Sequence, residues 1–121
     1  MEIRKVNLAE KFDRFREHWS PKIAGEVNDT YVKLVKFRGD FVWHRHEAED
    51  EMFFVVKGRF TMRLTDGDLV VEENEFVIVP KGVEHCPVAD EEAWVLLFEP
   101  KTTLNTGNVH DERTIEKLDR I

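Results

Sequence analysis

The chain has 121 residues, a formal net charge of -7 at neutral pH and a single cysteine, Cys86, so it fits one domain that can bury its own core without an intrachain disulfide framework. The acidic balance repels nucleic acid, and a lone cysteine suits a reducing compartment. No apolar run approaches the roughly 20 residues that cross a bilayer, and "MEIRKVNLAEKF" lacks the apolar segment of a secretion signal, so no membrane partner and a cytoplasmic setting are expected.

In chain order, the first predicted element is "NLAEKFDRFREHW" at 7–19, which carries Leu8, Phe12, Phe15 and Trp19 at helical spacing. Asn7 is placed to cap it, Glu10 three residues later gives a capping-box-like start, and Pro21 ends it. A short amphipathic N-terminal helix is therefore predicted over 7–19. His18 falls in its last turn, where a cation complements the helix dipole, and reads as structural. From Thr30 to Glu99 the pattern changes to short apolar runs rich in Val, Phe, Leu and Ile. Turn signals separate them: "RGD" at 38–40, "KGR" at 57–59, "TDGD" at 65–68, "EENE" at 72–75 and "PKGVEH" at 80–85. This spacing indicates an all-β antiparallel sandwich or barrel with its core over about 30–99. After Pro100, "KTTLNTGNVHDERT" reads as a surface loop in which His110 is solvated. Ile115, Leu118 and Ile121 then recur at three-residue intervals, predicting a short helical turn in a tail spanning 100–121. No repeat or linker divides the chain, so a single domain over 1–121 is expected.

Residues 44–51 read "HRHEAEDE". In a strand, His44 and His46 would point to the same face with their imidazoles side by side, which is half of a metal site; the alternative is a polar turn whose histidines face water. Glu47, Glu49 and Asp50 suit a solvated turn. Glu51 opens "EMFFVV", an otherwise apolar strand in which a carboxylate needs a cation or several donors to be tolerated. Further along, Pro80 and Gly82 build a turn in "PKGVEHCPV" that makes a third imidazole, His85, available. Cys86 should point to the opposite side as a small buried hydrophobe.

The two pieces, His44-x-His46-x4-Glu51-x6-Gly58 and Pro80-x-Gly82-x2-His85, resemble the two sequence motifs of the cupin superfamily, over roughly residues 39–99. Three positions depart from the pattern: Gly39 lies one residue too close to His44, Asn74 stands in place of a glycine, and Ala89 replaces a closing asparagine. None is a ligand position, and Asn74 can adopt the left-handed conformation a glycine would supply. The resemblance implies a small single-domain cupin: a double-stranded β-helix, or jelly-roll, barrel with a metal inside, held by His44, His46, Glu51 and His85.

Three imidazoles, one carboxylate and no thiolate suit one divalent transition metal, Fe, Mn, Ni or Zn. Four protein ligands in an octahedral field leave two positions open, enough for a bidentate substrate or for a substrate plus dioxygen. The resemblance thus implies a metal-dependent enzyme acting on a small organic molecule, with dioxygenase-like chemistry ahead of a sugar-phosphate isomerase or epimerase. Isomerisation would need an inward-facing base other than Glu51, and none stands out. A non-catalytic, metal-stapled ligand-binding module is the third reading. By alternation Val42, Phe53 and Val55 line the metal's surroundings, and Lys33, Lys36, Arg38, Lys57 and Arg63 belong to the solvated outer face. Phe41 and Trp43, with Met52, Phe54 and Val56 on the neighbouring strand, then point outward. A sheet apolar on both faces must be covered on both, which predicts a homodimer.

Overall fold

The structure is a computed structural model that describes residues 2–121. One short helix, α1 (Leu8–Phe12), precedes seven strands: β1 (Lys22–Val27), β2 (Thr30–Asp40), β3 (Glu51–Lys57), β4 (Arg59–Leu64), β5 (Gly67–Glu72), β6 (Phe76–Val79) and β7 (His85–Pro100). Pairing is antiparallel throughout, in the order β1-β2-β7-β3-β6, with β4 joining β7 to β5. The long strand β7 organises the fold. One of its edges runs along β2, and the other is shared between β4 near His85 and β3 near its C-terminal end. A strand that serves two partners along one edge must bend between them, and the bend curls the sheet into a barrel. Gly58, at φ 82, makes the tight β3–β4 connection against that bend, where a Cβ would sit 3.0 Å from the Glu92 carbonyl oxygen.

Alternation fills the interior. Val35 and Phe37, Phe53 and Val55, Phe60 and Met62, and Ala93, Val95 and Leu97 form one buried cluster. At about 1.5–3 kcal/mol for each fully buried large apolar side chain, this cluster is the main stabilising contribution. A second cluster lies on the outer face, where Phe12, Phe15 and Leu34 pack with Val56, Trp94, Leu96 and Ile121.

The N-terminal helix is shorter than the predicted 7–19. Asn7 does cap it, its Oδ1 accepting from the Glu10 N–H at 3.0 Å, but Glu10 pairs with Arg14 instead of reaching back. The helical stripe divides because its apolar residues serve two different clusters. Phe12 and Phe15 pack outside the barrel, while Trp19 stacks on Phe37 and Phe41 at centroid distances of 4.4 and 4.8 Å. Trp19 reaches them at φ 59, donating its backbone N–H to Lys36 and its indole N–H to Arg38. A continuous helix could not turn toward both.

Two further expectations are corrected. The barrel begins at Lys22, not Thr30: "KIAGEV" has neither alternation nor high β propensity, and β1 is an edge strand held by backbone pairing with β2. The predicted C-terminal helical turn does not form among the described residues. Ile121 donates to the Ile23 carbonyl and Ile23 to that of Asp119, so the tail zips onto the free edge of β1 as extended backbone. Ile121 still docks on the outer cluster. No helix among the described residues is long and apolar enough to cross a membrane.

On the basic residues, Arg38, Lys57 and Arg63 are exposed as expected, but Lys33 and Lys36 are buried. Lys36 runs under the N-terminal segment, where its Nζ donates to the Phe15 carbonyl at 2.7 Å and lies 5.1 and 5.3 Å from the ring centroids of Phe15 and Trp94. The outer sheet face has neighbouring Met52, Ile78 and Phe98 in cross-strand register, with Phe76 beside Phe54; Phe76 and Ile78 are more than half exposed.

Candidate metal centre

The segment 41–50 between β2 and β3 is a loop and not a strand, so strict alternation fails there. Phe41, expected to point outward, turns in and sets its ring edge-on to His44 at 5.4 Å. One residue of the loop keeps strand geometry. His44 and His85 exchange both backbone hydrogen bonds, at 3.0 and 2.9 Å, which places their imidazoles side by side with centroids 4.2 Å apart. His46 is anchored through its carbonyl, which accepts from Gly82 at 2.8 Å; the φ of 82 at Gly82 shapes the turn before His85. Glu51 opens β3 and is buried with the inward-facing residues of that strand.

The ligand atoms of His44, His46, Glu51 and His85 lie within 4.8 Å of one another, and all four residues are buried. The His46 and His85 Nε2 atoms are 3.1 and 3.6 Å from Glu51 Oε1. His44 Nδ1 and His85 Nδ1 each meet a carbonyl oxygen two residues back, Val42 at 2.8 Å and Val83 at 2.9 Å. A carbonyl only accepts, so each Nδ1 carries the proton and each Nε2 presents a lone pair to the centre. His46 Nε2, His85 Nε2 and Glu51 Oε1 have no hydrogen-bond partner among the described residues. Orphaned buried polar atoms cost about 1–3 kcal/mol each, and a cation at their meeting point satisfies all three. The donor set fits a divalent transition metal.

Electrostatics keeps these groups in their ligating forms. Burial first, then the neighbouring His85, lowers the His44 pKa to about 4, so its imidazole is neutral at physiological pH. Burial resists ionisation of Glu51, but its polar neighbours Glu99, His46 and His85 outweigh it and hold its carboxyl well below the usual range. Glu99 moves the other way: burial, then the charge of Glu51, pushes it well above the ordinary carboxylate value against the pull of Lys33. The two neighbouring carboxyl groups thus drive each other's pKa values apart, Glu51 down and Glu99 up.

A cavity of about 30 Å³ adjoins the centre, lined by His44, Glu51 and Asn105 together with Trp19, Phe37, Phe41, Phe53 and Pro87. The wall is apolar as expected. Of the residues predicted for it, however, only Phe53 takes part; Val42 and Val55 do not, and Trp19 and Phe41 replace them. The loop after β7 straps the histidine segment from outside. Asn108 Oδ1 accepts from the Arg45 N–H and the Asn108 N–H donates to the Arg45 carbonyl, while a Cβ at Gly107 would overlap that carbonyl and press on the His44 ring. Glu47 is exposed, Asp50 accepts from the Lys81 N–H and Glu49 accepts from Thr102, as suits a turn. His18 and His110 lie away from the centre, His18 paired with Glu92 at 2.9 Å and His110 exposed. Cys86 is buried, and burial raises its thiol pKa.

Residues 32–99 match the family described as a cupin domain. An uncharacterized protein of Bacillus subtilis, YdbB, is 38% identical over 80 residues, covering 65% of this chain and 71% of that protein. The crystal structure of a cupin-2 domain containing protein from Shewanella frigidimarina superposes with a TM-score of 0.78 at 42% identity, covering 79% of this chain and 94% of that one. A protein from Neisseria meningitidis gives a TM-score of 0.74 at 30% identity, covering 81% and 100%.

Proposed function

From the premise that this chain belongs to the cupin domain family, we propose that it is a metal-dependent enzyme acting on a small organic molecule, with His44, His46, Glu51 and His85 holding one divalent transition metal (Fe, Mn, Ni or Zn). The observation that carries this reading is the convergence of three orphaned buried lone pairs from His46, His85 and Glu51 beside the neutral His44 ring. When bound, the ion supplies Lewis-acid polarisation of an oxygen donor and, as iron, the capacity for dioxygen chemistry. The residues themselves select the substrate's charge and size. Three neutral imidazoles and one carboxylate leave a net positive centre, which favours an anionic, enolised oxygen donor such as a diketone, catechol or 2-hydroxyketone. Trp19, Phe41 and Phe53 line the space beside it and exclude water.

The same wall ranks the chemistries. Isomerisation needs a base facing the substrate, and Glu51 cannot serve while it is a ligand. His44, which also lines the cavity, belongs to the same donor set, and Asn105 is no base and is already committed, donating to the Arg113 carbonyl and accepting from the Ile115 N–H. Glu99 does not line that cavity. Oxidative chemistry of the dioxygenase type is therefore preferred over the sugar-phosphate isomerase or epimerase reading. An oxygen-electrode screen of the Fe(II) form against diketones and catechols is expected to show substrate-dependent oxygen uptake. Turnover only in a parallel anaerobic sugar-phosphate isomerisation assay would reverse the order, and silence in both would favour a non-catalytic, metal-stapled module.

The working form is proposed to be a homodimer closed across the outer sheet face. The N-terminal segment covers only the end of that face around Trp94 and Leu96, leaving Phe76, Ile78 and Phe98 to water. Sedimentation at micromolar concentration should give twice the 14.3 kDa chain mass, and a monomer alone would refute the pairing.

A further inference from the structure

Where the C-terminal tail zips onto β1, a cavity of about 380 Å³ lies between the tail, β2 and the segment 101–105. Its lining runs against the charge balance of the chain. The molecule carries a net charge of -7, yet four cationic side chains from separate segments line this cavity, Lys33, Lys101, Lys117 and Arg120, and among the described residues Glu116 is the one carboxylate that joins them. Tyr31 is the platform for three of the cations. Lys33 Nζ, Lys101 Nζ and Arg120 Cζ lie 5.9, 5.4 and 5.6 Å from its ring centroid. The carboxylates that pair with these three stand outside the lining: Glu99 holds the buried Lys33 at 2.8 Å, and Glu26 contacts both Lys101 and Arg120. Backbone contacts set the arrangement, since Arg120 is bridged to Ile23 and the Lys101 N–H donates to the Asp29 carbonyl at 2.9 Å. Lys117 is exposed.

A second observation is independent of charge. Thr103 also lines the cavity, is 7% exposed, and its Oγ1 has no hydrogen-bond partner among the described residues. A buried hydroxyl without a partner is destabilising, and an acceptor in the cavity would relieve it.

We propose that this cavity binds the phosphate group of a small molecule, with Lys101, Lys117 and Arg120 as charged donors, the Thr103 hydroxyl as a neutral one, and Lys33 adding its charge from the buried wall. A phosphate dianion suits the site better than a single carboxylate, because it answers more than one of the crowded cations and offers acceptor oxygens to donors arriving from several sides. None of the four residues of the metal centre lines this cavity. The site therefore stands whether or not those residues hold a metal.

The test is an amide chemical-shift titration of the full-length, metal-free chain with inorganic phosphate at constant ionic strength, beside thermal unfolding of each variant. Saturable shifts are expected around residues 101–103, 117 and 120. The double variant Lys101→Gln, Arg120→Gln should weaken binding by about 10-fold or more, as loss of charge-assisted hydrogen bonds does, whereas Lys5→Gln at the exposed N-terminal end should leave it unchanged. If the double variant does not fold, Lys117→Gln, altered at an exposed position, supplies the same contrast. Thr103→Val should weaken phosphate binding several-fold while raising the Tm of the ligand-free chain, a pair of opposite effects that loss of packing alone would not give. Acetate should bind about 10-fold more weakly than phosphate. The proposal would be overturned by an absence of saturable shifts, by shifts centred on His44, His46 and His85, or by a double variant that binds like the parent. Equal weakening by Lys5→Gln would also overturn it, as the mark of unspecific attraction. Acetate binding as tightly as phosphate would overturn the choice of a dianion, and a Thr103→Val variant as tight as the parent would overturn the part given to the hydroxyl.

Discussion

His44→Ala, His46→Ala and His85→Ala each reduce metal affinity by more than the roughly 10- to 100-fold that loss of an outer hydrogen-bonding partner costs, and Glu51→Gln weakens it by removing the only anionic ligand. His18→Ala and His110→Ala leave it unchanged. The contrast follows from placement. The first set converges within 4.8 Å in the barrel interior, whereas His18 pairs with Glu92 at 2.9 Å outside the centre and His110 is exposed. Calorimetric titration of each variant with Zn(II) or Mn(II), after thermal unfolding has shown that it is folded, checks the result. Equal affinity in His46→Ala and the parent would contradict it.

The second large effect is a pH dependence of the metal-free protein. Burial and His85 lower His44 from 6.5 to about 4 in the folded chain. Between these values the unfolded chain holds the proton on this residue and the folded chain does not, so acid favours unfolding. The His44 contribution is fully present above about pH 6.5 and lost as pH falls through about 4, a total of about 3 kcal/mol. Glu99 works in the opposite direction, since its raised pKa makes the folded state the better proton acceptor above the ordinary carboxylate range. The observable is therefore a difference. Denaturant unfolding of the parent and of His44→Gln, both stripped of metal, should show the parent's advantage shrinking by about that amount between neutral pH and pH 4. A constant difference, or one that grows in acid, would contradict the assignment of His44 as a buried neutral imidazole.

The legible part of the molecule was the part governed by side-chain alternation and fixed motif spacing. Glu51, Phe53 and Val55 face inward because β3 is a regular strand, and His44, His46, Glu51 and His85 meet because the turn at Pro80–Gly82 and the His44–His85 backbone pair bring two distant segments together. Alternation was misleading where the chain leaves strand geometry. The loop over 41–50 reverses Phe41, and the stripe from Leu8 to Trp19 splits because its residues belong to two clusters. Edge pairing was invisible for another reason: β1 and the tail at 119–121 are joined by backbone groups, which leave no side-chain signature. Glu99 and Lys33 are a different case. Val95, Leu97 and Glu99 alternate inward on β7, and Lys33, Val35 and Phe37 do so on β2, so period two alone would have placed both charges in the interior. The prior that lysine and glutamate stay in water hid them. The strap at Gly107 and Asn108 carries only the local signal of a turn, and its contact with the His44–Arg45 segment joins residues far apart in the chain.

The central claim is that the converging lone pairs of His46, His85 and Glu51, with His44, hold a metal ion. The most direct test is elemental analysis of the protein purified without oxygen and without chelator, alongside His46→Ala prepared identically. The account predicts close to one equivalent of a single divalent transition metal per parent chain and far less in the variant. A parent chain carrying no more metal than the variant would contradict it.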